Sequence, residues 1–164
     1  MKEQLQQLAA YHLWADNRLF SRISQLTEEQ VHQRVASSFP SIYKTILHMW
    51  DAEAIWWQRF RLMEHIIRPS DTFEGTLAEL VAGINGQSAQ WKLWIDEARP
   101  AQLEHVFAYQ NSKKEQFKQP LNQVLLHIFN HGTYHRGQLV TMLHQAGADN
   151  IPPTDFVVFT RTLK

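Results

Sequence analysis

Not one cysteine occurs in the 164 residues. Disulfides, thiolate zinc ligands and a cysteine nucleophile are all excluded by that absence. Any thiol chemistry here would have to use a thiol brought in from outside. Charge of one sign is lacking as well, since 16 Lys+Arg balance 16 Asp+Glu and the pI is about 7.1. A dedicated nucleic-acid binder carries a basic excess to displace counterions from phosphates, and the longest basic run is Lys113-Lys114. No nucleic-acid partner is expected. Nor does any apolar stretch approach the ~20 residues needed to cross a bilayer, so no membrane span is expected. The opening residues, Met1 to Leu19, are amphipathic and acid-containing, unlike a signal or transit peptide. The expected location is the cytoplasm.

What remains is the composition of an ordinary globular chain, 44% hydrophobic and 20% charged. Residues 1–164 read as one domain, long enough to bury about two-thirds of the unfolded surface without a staple. A metal, if bound, would serve chemistry or regulation. Leu5, Leu8, His12, Ala15, Leu19 and Ile23 recur at helical steps and predict a first helix from Lys2 to Leu26. Thr27 to Gln30 is a capping box opening a short turn. Ser41 caps a second helix to Arg61, and Thr76 to Glu79 open a third to Ala98, weakened at Gly83 and Gly86. Leu103, Phe107, Tyr109 and Phe117, around Asn111-Ser-Lys-Lys, predict a small hairpin. Pro120 suits the first position of a fourth helix that Gly147 stops. The apolar tail Phe156 to Phe159 is expected to pack on the bundle. The fold class is therefore all-α, an up-down-up-down four-helix bundle with a small hairpin or extended segment between helices three and four.

Histidine is abundant where cysteine is missing, with nine in the chain and four between positions 127 and 144. His131 and His135 are four apart on one helix, so both can reach a single ion. His127 and His135, eight residues apart, are separated by about 12 Å and cannot share it. A helix of this kind supplies two ligands and an open site takes a third from elsewhere. His12 and His48 both fall on core stripes of other helices, and spacing alone leaves the choice between them open. Asp51, one turn beyond His48, could orient an imidazole. Such a histidine pair can also be plain core filling, but Gly132 and Gly137 flank it at a cost to the helix of up to ~1 kcal/mol each. Glycine there makes room for a neighbouring helix or a ligand.

Three segments carry a resemblance. Tyr11-His-Leu-Trp14-Ala-Asp-Asn17, Ile46-Leu-His48-Met-Trp-Asp-Ala-Glu53 with Trp56, and Asn130-His131-Gly-Thr-Tyr-His135-Arg-Gly-Gln138 resemble, in this order, the helix motifs of the DinB/YfiT-like four-helix-bundle metal proteins. The ending Pro153-Thr-Asp-Phe156 is similar to that family's usual close. The resemblance implies His48, His131 and His135 as metal ligands, and leaves His12 and His127 to structural or supporting roles. Despite the shared label, the family is unrelated in fold to the error-prone DNA polymerase.

Three neutral imidazoles leave a divalent ion its full charge and open positions, so bound water or a bound thiol is acidified. Activated water attacking a carbonyl would give a hydrolase. A low-molecular-weight thiol attacking an electrophile would give a transferase, and the resemblance implies that outcome, since relatives use bacillithiol or mycothiol. Zn2+ is the first expectation and Ni2+ the second. Arg136 and Arg59 are candidate contacts for the thiol's carboxylates, and Glu53, Asp51 and Tyr134 are candidate proton carriers. The alternative is a non-catalytic metal-binding or interaction bundle. A small-molecule substrate is expected. Trp14, Trp56, Trp57, Trp91 and Trp94 exceed what one core needs, which predicts exposed aromatic surface and a homodimer.

Overall fold

The computed structural model of the protein describes residues 1–111 and 113–163. In chain order it comprises α1 (Lys2–Ile23), the short α2 (Glu28–His32), α3 (Ile42–Phe60), α4 (Leu77–Glu97) and the short α5 (Pro100–Glu104). The strands β1 (Val106–Gln110) and β2 (Gln116–Pro120), the long α6 (Leu121–Gln145) and the short α7 (Phe156–Thr160) follow. Local chemistry sets most of these boundaries. The Thr27 hydroxyl accepts from Gln30 N–H while Gln30 Oε1 accepts from Thr27 N–H, so two otherwise orphaned donors are satisfied at the start of α2. Thr76 and Glu79 repeat the exchange at α4, and Ser41 Oγ accepts from Lys44 N–H at α3. Gly147, at φ +74°, ends α6 in the left-handed conformation that favours glycine. Pro120 stands one residue earlier than expected, as the cap of α6.

The hairpin pairs Phe107 with Gln119 and Tyr109 with Phe117, antiparallel, between α4 and α6. Ser112, within its expected turn, lies outside the described residues. Among the described residues no helix is long and apolar enough to cross a membrane.

The four long helices form the bundle, but not in the expected up-down-up-down order. One core cluster joins the end of α1 (Leu19, Ile23), the starts of α3 (Ile42, Ile46) and α4 (Leu80, Ile84), and the end of α6 (Leu139, Leu143). The other joins the start of α1 (Leu5), the ends of α3 (Trp57, Phe60) and α4 (Trp91, Ile95), and the start of α6 (Leu121, Leu125). The order is therefore up-down-down-up, with α3 and α4 parallel. The segment between them is responsible. It turns back along α3, where Ile67 bonds Gln58, Ser70 N–H donates to Asp51, and Tyr43 OH donates to the Gly75 carbonyl. A sixteen-residue connection can span about 50 Å when extended, more than enough to retrace a helix of about 28 Å. Length alone does not set its path.

All six tryptophans are buried or half-buried, so none of them supplies the expected exposed aromatic surface, and the exposed aromatics are Phe117, Tyr134 and Phe156. Trp57, Phe60, Trp91 and Trp94 pack edge to face at the α3–α4 end instead, with ring centroids 4.8 Å apart for Trp57–Trp91 and Phe60–Trp94. The tail packs as expected, Phe159 burying against Tyr11 and Trp14.

Gly83 and Gly86 differ in a way that the helix pattern hides. A Cβ on Gly83 would run into the Trp50 ring, whereas one on Gly86 would meet open space. Gly86→Ala should therefore raise stability by up to about 1 kcal/mol through helix propensity. Gly83→Ala should lose about 1–3 kcal/mol by overpacking despite the same propensity gain. Urea denaturation of the two variants checks the opposite signs, and equal shifts would show that Trp50 does not fill that space.

Candidate metal centre

α3 and α6 run antiparallel side by side and bring the three expected histidines together. The Nε2 atoms of His48 and His131 lie 3.2 Å apart, and those of His135 and His131 3.0 Å apart. All three donor atoms fall within 4.8 Å of one another, a grouping able to hold a metal ion. His135 is buried, while His48 and His131 are partly exposed, so one side of the cluster is open. Phe39 stacks on His48 at 4.1 Å between centroids and covers another side.

Hydrogen bonding limits what the cluster can hold. Gln138 Nε2 donates to Ser38 Oγ and Tyr134 Oη, which leaves its Oε1 to accept from His135 Nδ1–H at 2.7 Å. In a neutral His135 the lone pair then sits on Nε2, facing the other two rings. His131 Nε2 approaches two nitrogens and can donate a proton to only one of them. No arrangement of protons satisfies all three Nε2 atoms mutually, whereas an ion accepting three lone pairs does. Tetrahedral Zn–N bonds of about 2.05 Å imply N···N edges of roughly 3.3 Å, close to the two separations found. The residues fit a divalent ion.

Electrostatics point the same way. Burial, then the nearby His135 and His48, push the His131 pKa down to about 3. His48 is lowered by burial and by His135, partly offset by Asp51, and His135 is lowered by burial, partly offset by Gln138. All three stay neutral, as ligands must be.

Other expected residues go elsewhere. Asp51 does not orient His48; it accepts from the Ser70 backbone N–H at 2.8 Å and so anchors the returning connection. His127, one turn before His131, packs its ring on Trp56 at 5.5 Å, outside the cluster. Arg136 cannot meet a thiol's carboxylate, being 2% exposed and turned into the bundle. There it donates to Asp16 at 2.9 Å and to Thr133 at 2.7 Å, with His12 Nδ1 at 3.1 Å. His12 Nε2 bonds Glu53 at 2.9 Å, and Ser88 Oγ donates to the same carboxylate. His12, Asp16 and Glu53 could themselves hold a cation, but the Arg136 guanidinium already supplies positive charge there. Burial works against charge on His12, yet Asp16 and Glu53 outweigh it and raise its pKa. A Cβ on Gly132 would strike the His12 ring. That glycine therefore makes room for a neighbouring helix's side chain, while Gly137 faces open space. Sequence reasoning missed Phe39, Gln138 and Asp16 as parts of the site's surroundings. Gln138 had a signal, its three-residue spacing from His135.

Fold and site together define a four-helix bundle presenting a three-histidine cluster with the geometry for a divalent ion. The chain belongs to the DinB family, which matches residues 1–162. It is 30% identical over 159 residues to Protein DinB of Bacillus subtilis (strain 168), covering 93% of this chain and 91% of the relative. It also shares its fold with YfiT from Bacillus subtilis, at a TM-score of 0.71 and 16% identity over 91% of each chain. That protein is described as "a probable metal-dependent hydrolase with an unusual four-helix bundle topology".

The depressed His131 pKa has a sign that can be tested in chelated protein. Unfolded His131 binds a proton near its ordinary pKa of about 6.5, whereas the folded group resists protonation down to about 3. Between those limits the unfolded state holds more protons, so stability is full above the upper limit and falls as pH falls. Urea midpoints of the metal-free protein should drop across that window, and His131→Gln should flatten the drop. An unchanged pH slope in the variant would contradict the depressed pKa.

Proposed function

We propose that His48, His131 and His135 hold one divalent ion, Zn2+ ahead of Ni2+, and that the protein is a metalloenzyme activating a small-molecule thiol. The supporting observation is the fixed tautomer of His135, whose lone pair joins two others with no proton arrangement to satisfy them. When bound, such an ion acidifies a ligated thiol or water toward neutrality. The chain's own residues would do the rest. Gln138 holds His135 in its ligating tautomer, and Phe39 shields one side from water. Of the three candidate proton carriers, Glu53 is engaged by His12 and Ser88, and Asp51 by Ser70. Tyr134 is exposed at the rim with its ring edge on His135 at 5.0 Å, and could pass the thiol's proton to solvent. The thiol sulfur would form the new bond to the electrophile's carbon while the leaving group departs with its electron pair.

A second reading, in which water takes the place of the thiol, is favoured by the description of YfiT as a metal-dependent hydrolase. Both readings require the same ligands, and they differ in what enters the open side.

Metal analysis of untagged protein, purified without chelator, should find one ion per chain. His135→Ala should reduce that content about tenfold or more, and Gln138→Leu should weaken affinity about ten- to hundredfold by freeing the ring. Undiminished metal in His135→Ala would reject the ligand set. In cobalt-substituted protein a small thiol should add a sulfur-to-metal charge-transfer band near neutral pH, with an apparent thiol pKa below about 8.5. A cobalt spectrum indifferent to thiols, together with hydrolysis of activated esters, would select the water reading.

A further inference from the structure

A cavity of about 620 Å³ opens beside the hairpin at the far end of α3. Its walls are Ile55, Leu62, Met63, Ile66 and Tyr109, and Arg59 reaches into it. The cavity does not include the histidine cluster, yet it continues the same helix face. From His48, residues seven and eleven farther on α3 return to nearly the same angular position, which places Ile55 and Arg59 about 10 and 16 Å along the axis. On the facing helix His127 bridges the gap, its ring 6.0 Å from His131 and 5.5 Å from Trp56. Arg59 lies over Trp56 at 4.7 Å and over Tyr109 at 5.4 Å.

Arg59 is the unusual member of this surface. Its Nε is buried without a hydrogen-bond partner, and among the described residues no carboxylate pairs with it. Arg68, the other cation of the cavity, is already bound to Asp71 by two hydrogen bonds. A guanidinium placed over two aromatic rings, with donors unspent and aliphatic walls around it, is arranged to receive a planar anion. Glu64 at the same cavity disfavours ligands of high negative charge and so favours a single carboxylate over a phosphate.

We propose that Arg59 and this cavity form a binding subsite for the carboxylate end of an elongated, largely apolar small molecule whose other end reaches the histidine cluster. The carboxylate subsite stands on the cavity and Arg59, and the linkage to the cluster rests on the metal reading above. The substrate class is thus an amphiphile long enough to follow the helix face between His48 and Arg59, which lie about 16 Å apart along the axis.

Two arms test it separately. In metal-free protein, calorimetry and tryptophan fluorescence should show undecanoate binding about tenfold tighter than undecanol. Arg59→Met should remove the difference and Arg59→Lys should keep part of it, with helical circular dichroism unchanged in both. In cobalt-loaded protein, mercaptoundecanoate should produce the charge-transfer band at about tenfold lower concentration than mercaptoundecanol. Arg59→Met should equalise the two while leaving the response to mercaptoethanol intact. Undecanoate and undecanol binding alike, or a carboxylate preference that survives Arg59→Met, would overturn the subsite. An Arg59-dependent preference in the first arm without any thiol band in the second would uphold the subsite and reject the thiol reading.

Discussion

The contact between Arg136 and Asp16, 2.9 Å long and sealed from water, fixes how α6 is turned, and the histidine cluster depends on that turn. Adjacent residues on a helix point about 100° apart, as 3.6 residues per turn requires. With Arg136 drawn toward α1, His135 is carried round to face α3, and His131 follows one turn earlier. The buried layer reaches every long helix: His12 and Asp16 from α1, Glu53 from α3, Ser88 from α4, and Arg136 from α6. Ion pairs so deeply buried are poor sources of net stability because desolvation consumes most of the Coulombic gain. Breaking one, however, leaves an uncompensated charge in a dry core, which penalises every alternative rotation or register of the helices. The layer's contribution is to specificity of arrangement, and the ligand geometry is its product.

The path of the chain between α3 and α4 has a comparable reach. By returning along α3 it makes α3 and α4 parallel and gathers Trp57, Phe60, Trp91 and Trp94 at one end of the bundle. The hairpin then lies against that end through Phe107 and Tyr109. The same return leaves Leu62, Met63, Ile66 and Ile67 exposed where α3 gives way to loop. That patch is aliphatic, while the tryptophans are buried or half-buried in packing between helices.

Features set by neighbours in sequence were legible, and features set by distant contacts were not. Thr27, Ser41 and Thr76 announce helix starts because a cap is chemistry between residues three apart. The pairing of His131 with His135 is likewise a property of one helix turn. His48 could not be separated from His12 by spacing, since both lie on core stripes, and the resemblance of the Ile46 to Glu53 segment carried that choice. The structure shows why two histidines compete for such a role: His48 meets the cluster, while His12, equally inward, meets Glu53 and Arg136. Arg136, expected to contact a thiol's carboxylates, turns inward because the fold brings Asp16 to it from α1, a pairing that no local spacing announces. Asp51 was misassigned for the same reason, its partner Ser70 lying nineteen residues away on the returning connection. Helix order failed because no local signal says whether a connection crosses to the neighbouring end or doubles back.

Desolvation, which lowers the pKa of all three cluster histidines, has two consequences that pull in opposite directions. It keeps the rings neutral, so protons compete weakly with a cation for the lone pairs. It also leaves those lone pairs facing one another at 3.0 and 3.2 Å with too few protons to share. The metal-free cluster is thus locally frustrated within a bundle whose two apolar cores stand on either side of it. A cation relieves that frustration only in the folded chain, so its binding free energy adds to folding stability by mass action. Because the apolar cores hold the helices together without it, the ion's contribution falls on top of an already folded scaffold. That separation would let the proposed ion use the open side of the cluster for chemistry: ligand exchange there would perturb the three imidazoles and leave the Arg136–Asp16 layer, and with it the bundle, in place.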